Sequence, residues 1–418
     1  MAGSKQLRLK RTLGLFDAVS IGLGAIIGAG IFVALGIAAG LAGPGLLLSV
    51  IIAGIVASFT ALSFAELSSA IPKEGGAYEY VFEVVSPSLG FLTGWMWLFG
   101  QIVTGAAVSL GLAAYLALFV PIPLKLIAVS ACLLFMLVNL IGVKQSGLVN
   151  DALVVLKIAA LCVFVIVGVF HVQASNFSPL FPNGFSGVIN GAALIFFAYL
   201  GFGRIATVSE EVKNAGKRIP LSILLALGIS TLLYLLVSFT AVGVVGYAKL
   251  SASGSPLADA MGATGNDLAT WVVSIGGILA TASVLLTTIL GVSRVSFSMA
   301  RNKQVPGFIN ALHPRFGTPY ISILVTGLLM AFLAFAWDLK QVFSLASFSV
   351  IVTHVLVNYS ALKLGKDKRR FRVPFSPIPQ LLGIVSCLIL AFSLLPETWV
   401  MASGVLAVGV IVYLLERR

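Results

Sequence analysis

The chain has 418 residues, of which 59% are hydrophobic and 10% charged. A soluble domain carries about 25% charged residues, so the composition excludes a water-soluble protein and indicates an integral membrane one. The formal charge of +12 suits either nucleic acid or an anionic lipid surface, and the placement of the basic residues decides between them.

Read for apolar runs of about 20 residues, the chain gives about twelve transmembrane helices. They lie near 15–40, 44–70, 88–119, 122–142, 150–171, 186–211, 219–246, 269–299, 319–336, 340–363, 378–395 and 398–415. The basic start (Lys5, Arg8, Lys10, Arg11) runs into a span too long for the apolar core of a signal peptide, so no cleavable leader is expected. With the N-terminus in the cytoplasm, twenty of the 26 Lys and Arg fall inside. Only Lys125, Lys249 and Lys340 fall outside, while Lys157, Arg204 and Arg294 lie within spans. Such a bias fixes orientation by the positive-inside rule: both termini cytoplasmic, in the plasma (cell) membrane. The charge then faces the inner leaflet of the bilayer rather than nucleic acid. Cys132, Cys162 and Cys387 sit in apolar spans, which argues for packing and against disulfides. The three histidines are scattered, so no metal set is expected.

The first span is interrupted. After Ile26-Ile27 comes Gly28-Ala29-Gly30, and the apolar run resumes at Ile31-Phe32-Val33. The sixth is interrupted likewise, at Phe196-Phe197-Ala198-Tyr199-Leu200-Gly201-Phe202-Gly203. Irregular backbone at bilayer depth is tolerated only where it is buried in protein or lines a cavity. Paired interruptions point to a transporter's binding site. Five helices separate the two, so the second enters from the opposite side, as an inverted repeat requires. The expected organisation is a cytoplasmic segment 1–14, a five-helix repeat 15–171, an inverted repeat 186–363 and two additional helices 378–415.

At such a break the half-helix that resumes carries unpaired N–H groups and a partial positive charge, which suits a carboxylate. In the first span these are the amides around Ile27, Gly28, Ala29 and Gly30. Freed carbonyls near Phe197, Ala198, Leu200 and Gly201 suit an ammonium group. Together they describe a site for a zwitterionic α-amino acid. The competing reading is that the glycines serve close helix packing.

At these residues the chain resembles the amino acid–polyamine–organocation transporter superfamily. Four ordered motifs carry the likeness. They are Gly24 to Phe32 in the first span, Pro72 to Tyr80 after the second, Gly201 through Ser209-Glu210-Glu211 to Pro220, and Arg294 to Pro319 with Met299-Ala-Arg301 and His313-Pro314-Arg315. The resemblance implies an all-α fold of LeuT type, five plus five inverted helices with two added, and amino-acid uptake or exchange by alternating access. It puts the substrate carboxylate on the first-helix amides and the ammonium on carbonyls of helices one and six. Phe197 matches the position of a gate. An amino acid and the lipid bilayer are the expected partners, with no obligate protein partner and no cofactor beyond a coupling proton.

Two cations within spans bear on coupling and selectivity. Lys157 lies about two turns from Asp151, and an intramembrane amine is by default a functional group, since desolvation favours its neutral form. The alternative is a lysine snorkelling to the interface. The resemblance places this lysine where sodium-coupled relatives hold their ion, with contacts to the Gly24 carbonyl and to Thr281 or Ser283. Arg204 either faces the cavity and disfavours cationic substrates or pairs with an acid such as Glu210. Gly203 stands where many relatives have an acidic residue, and Gly100-Gln101 where carriers of cationic amino acids tend to place a glutamate, so a neutral amino acid is expected. His354 and Asn358, one turn apart, read as core packing. Glu66, Glu74, Glu79 and Glu83 read as interfacial pairs, and Lys366 to Arg372 as a loop against anionic lipid. No nucleophile–base pair, selectivity-filter ring or nucleotide loop is present, which weighs against an enzyme, a channel and an ATP-driven pump.

Overall fold

The computed structural model describes residues 13–71, 75–142, 147–207, 212–365, 367, 369 and 371–416. Lys5 to Arg11, Glu74, Glu210 and Lys366 of the sequence reading lie outside the described residues. The structure is helical, with a single bridge joining Leu13 to Val212 among the described residues. In chain order the helices are α1 (Leu15–Ile26), α2 (Leu35–Ala42), α3 (Leu46–Ala70), α4 (Ala77–Val84), α5 (Pro87–Leu116), α6 (Leu124–Ile141), α7 (Gly147–Gly168) and α8 (Gly184–Ile195). They continue as α9 (Gly203–Thr207), α10 (Ala215–Ala252), α11 (Pro256–Gly262), α12 (Asp267–Arg301), α13 (Tyr320–Ala336), α14 (Leu339–Lys363), α15 (Ile378–Ser393) and α16 (Pro396–Glu416). Among the described residues nine helical runs are long and apolar enough to cross a membrane, Leu15–Ala70 counting as one, and α13 and α15 are shorter apolar helices.

The bundle has an inside and a lipid-facing outside. The apolar windows of Leu15–Ala70, α5 and α14 are 72–78% buried within the protein, whereas those of α6, Val149–His171 and Pro396–Leu415 are 17–33% buried. Lipid tails are as apolar as leucine, so the outer helices leave Leu126, Leu134 and Leu137 of α6 exposed. An all-round apolar sequence therefore serves both layers, and hydropathy alone does not say which helices are central.

Several expectations need correction. The span expected at 219–246 continues to Ala252, with Gly246 at φ 75° and ψ 157° marking a kink. The short helices α4 and α11 were not expected from the sequence. Arg369, expected against lipid, turns inward: it pairs with the fully buried Glu66 of α3 at 3.3 Å and donates to the Leu364 carbonyl that ends α14. Gln380 of α15 also donates to Glu66, at 3.0 Å. A buried carboxylate must be paired, and here one guanidinium ties α3 to the end of α14. Two of the sequence motifs meet, since Asn302 donates to the Tyr78 hydroxyl at 3.0 Å. The His313 motif forms a tight turn, with the Arg315 and Phe316 amides facing the imidazole Nδ1 at 3.2 and 3.3 Å.

Candidate functional site

The first interruption is where the sequence puts it. α1 ends at Ile27, which is extended at φ −77° and ψ 100°. The chain then winds into a π-helical turn, Gly30–Ala34, before α2 begins, and such wide turns are frequent at functional sites. The first backbone bond after the break runs from the Phe32 amide to the Gly28 carbonyl at 3.2 Å. The Ile27 amide, expected at the anion site, instead closes α1 by donating to the Leu23 carbonyl at 2.8 Å, and the amides that a helix start leaves without an intrahelical partner are those from Gly28 to Ile31.

The second interruption differs from the expected unwinding. Phe196–Phe202 tightens into seven residues of 3₁₀ helix, longer than the usual three or four. The Ala198 carbonyl, expected to await an ammonium, accepts a hydrogen bond from the Tyr234 hydroxyl at 3.1 Å. The same hydroxyl lies 2.8 Å from the Ile26 carbonyl. Tyr234 thus bridges both interruptions from α10. Sequence reasoning missed it, although a tyrosine within an apolar helix needs a partner for its hydroxyl.

The glycines pack closely as well as lining the site. A Cβ on Gly30 would press on Ala198 well inside 3.0 Å, and one on Gly201 would press on the backbone of Ala25 and Ile26 equally hard. Gly28 faces a side chain instead, Val284 Cγ2 at 2.6 Å from an added Cβ. Gly30 and Gly201 therefore make the helix crossing, the role the competing reading assigned to all the glycines.

Lys157 is 1% exposed. Its Nζ donates to the Gly24 carbonyl at 3.1 Å and the Ile27 carbonyl at 3.2 Å. Among the described residues Lys157 makes no hydrogen bond to Thr281 or Ser283, whose hydroxyls donate within their own helix to the carbonyls of Gly277 at 2.7 Å and Ala280 at 3.0 Å. Lys157 and Tyr234 between them serve the carbonyls of Gly24, Ile26 and Ile27, the orphans of the α1 C-terminus. Below Lys157, Ser20 donates to Asp151 at 2.5 Å, a second polar tie between α1 and α7.

The crossing opens on a cavity of about 320 Å³ that runs from Gly28, Ala29, Gly30 and Val284 to Arg294 and the Gly75–Ala77 turn. Phe197, Ala198, Leu200, Gly201 and Arg204 line it too. Arg204 Nη2 donates to Thr288 at 3.4 Å. Phe197 meets Phe343 edge-on at 5.0 Å and Phe32 meets Tyr115 at 6.1 Å, while Tyr115 donates to the Phe32 carbonyl at 2.8 Å. The Gly75–Ala77 lining follows the end of α3, which returns to the side where α1 begins, so the cavity runs toward that side. Near that end burial pushes the Tyr80 phenol up, so it stays neutral. No Asp or Glu lines the cavity among the described residues. His354 is buried in the core, as expected, and also lines the cavity, whereas Asn358 bonds Thr60 at 3.0 Å and Ser63 at 2.7 Å inside the bundle.

Two interrupted helices crossing at a cavity within an apolar bundle define a membrane transporter of broken-helix type. The family model described as amino acid permease matches residues 13–414, and the chain belongs to that family. It is 35% identical over 441 residues to a methylthioribose transporter of Bacillus subtilis, covering 100% of this chain and 95% of that protein. It is 33% identical over 442 residues to the branched-chain amino acid permease BcaP of the same species, with the same two coverages. A vacuolar cationic amino acid transporter of Arabidopsis thaliana is 32% identical over 382 residues, covering 85% of this chain and 64% of that protein. These relatives are transporters, and family membership makes this chain a multi-pass membrane transporter rather than an enzyme.

Proposed function

We propose that the chain is a secondary carrier of neutral amino acids in the plasma membrane, with both termini cytoplasmic and a proton as the coupling ion. Twelve spans arranged as five plus five inverted helices, with two added, are part of the same reading. The observation that carries it is the division of labour at the first break. Lys157 and Tyr234 occupy the carbonyl side, while Gly28, Ala29 and Gly30 line the cavity, where their amides form an anion site in this reading. Those amides suit a carboxylate without a charged side chain. The absence of acids from the described cavity lining favours a neutral over a cationic side chain. Lys157, held against two carbonyls where the family resemblance puts the ion of sodium-coupled relatives, is the proposed proton carrier.

In this reading Phe197 and Phe343 close the outer face and the cavity opens to the cytoplasm. An exchanger of the same fold is the second reading, since a lysine that never releases its proton serves equally as a fixed cation pinning α1 to α7. Uptake into proteoliposomes under an imposed pH gradient, with unlabelled amino acids and methylthioribose as competitors, separates them. Stimulation by the gradient supports symport, dependence on internal substrate alone supports exchange, and competition by methylthioribose alone overturns the amino-acid assignment.

A further inference from the structure

His354 on α14 is 5% exposed and lines the cavity. Its ring stands among three others: Phe196 at 5.5 Å edge-on, Phe64 at 5.6 Å edge-on and Phe202 at 5.6 Å tilted. Nδ1 is shut away from any accessible space and has no hydrogen-bond partner. The ring lines the cavity, so its accessible nitrogen is Nε2.

A neutral imidazole carries one N–H and one lone pair. Buried N–H groups are almost never left without an acceptor, whereas an under-used lone pair is better tolerated. The enclosed Nδ1 therefore holds the lone pair, and Nε2–H is the donor presented to the cavity. The aromatic cage fixes the plane of the ring and offers no nitrogen or oxygen acceptor. A donor so held, at a wall the substrate must share, is left for the substrate to satisfy.

We infer that His354 is a specificity-determining residue that donates from Nε2 to an acceptor in the substrate's side chain. The class selected is neutral amino acids bearing a hydroxyl or amide oxygen, in preference to hydrocarbon side chains of the same shape. This rests on the amino-acid reading above and adds the side chain to it. Backbone amides at the break read only what all amino acids share, whereas His354 reads what distinguishes them. The mechanism is one of discrimination: a hydrocarbon substrate leaves the Nε2–H buried and unpaired, which costs more than a bond merely foregone.

The test uses the full chain, purified, with two isosteric pairs as probes: threonine against valine, and asparagine against leucine. Binding is read by ligand-induced thermal stabilisation and by competition for uptake in proteoliposomes. The wild type is expected to favour the oxygen-bearing member of each pair by about tenfold, the worth of one buried hydrogen bond. His354→Leu removes the donor and is expected to bring each ratio to within about twofold, while His354→Gln, which keeps a donor, retains most of the preference. If the leucine variant fails to fold, His354→Phe, which suits the aromatic cage, replaces it. A preference that survives loss of the donor overturns the inference, as does a wild type that binds amino acids without any such preference. A wild type that binds none of the four overturns the amino-acid reading itself, and this inference with it.

Discussion

Gly201→Ala separates a packing glycine from a site glycine. The added Cβ meets the backbone of Ala25 and Ile26 well inside 3.0 Å, where ordinary contact begins at 3.4 Å. Peptide atoms cannot rotate aside as a side chain does, so the helices must part by about 1 Å, and overpacking of this kind costs about 1–3 kcal/mol. Parting by that much, shared between the Tyr234 contacts to Ile26 and Ala198, now 2.8 and 3.1 Å, takes at least one of them beyond hydrogen-bond range, a further loss of about 1 kcal/mol. The expected destabilisation is about 2–4 kcal/mol, with loss of uptake. Gly28→Ala is the control, since its Cβ meets a side chain, Val284, rather than backbone; it is expected to cost about 1 kcal/mol, the low end of overpacking, while weakening substrate binding. Unfolding of the purified protein in mixed detergent micelles measures the first quantity, and ligand-induced stabilisation the second. If Gly201→Ala stays within about 0.5 kcal/mol of wild type, the range of an ordinary surface change, the close crossing of the two helices is refuted.

Three further outcomes follow from the geometry. Lys157→Met strips the donor from the Gly24 and Ile27 carbonyls, and uptake is expected to lose its stimulation by an inward proton gradient; gradient-driven uptake that persists removes Lys157 from coupling. Tyr234→Phe, which leaves the Ile26 and Ala198 carbonyls without their hydroxyl, is expected to cost about 1–2 kcal/mol in the same unfolding assay. Arg369→Ala leaves Glu66 buried without its cation and is expected to cost about 3–5 kcal/mol, with much of the loss recovered in the Glu66→Gln, Arg369→Ala double variant.

The long apolar runs and the first break were legible because each rests on local sequence: some twenty apolar residues, or two glycines in three positions. Spans expected at 88–119 and 122–142 correspond to α5 and α6 within a few residues. α4 and α11 escaped because helices of eight and seven residues leave no mark in a window of about 20. The second interruption was located by its glycines, but their presence does not distinguish unwinding from a tighter helix. Tyr234 and His354 meet partners far along the chain, so their surroundings wait on the fold. Arg369 looked like one of several interfacial cations until Glu66, about 300 residues earlier, supplied its partner.

The glycine crossing also has a kinematic consequence. Where side chains separate two helices, rotamer changes let one slide while the other stays. Gly201 rests on the peptide atoms of Ala25 and Ile26, and Gly30 rests on Ala198, so neither helix has such slack at the contact. Tyr234 pins both from a third helix. A displacement of either interrupted helix is therefore transmitted to the other as through a single lever, with its fulcrum at the crossing itself. Any movement that opens the cavity at one end has to swing both helices together.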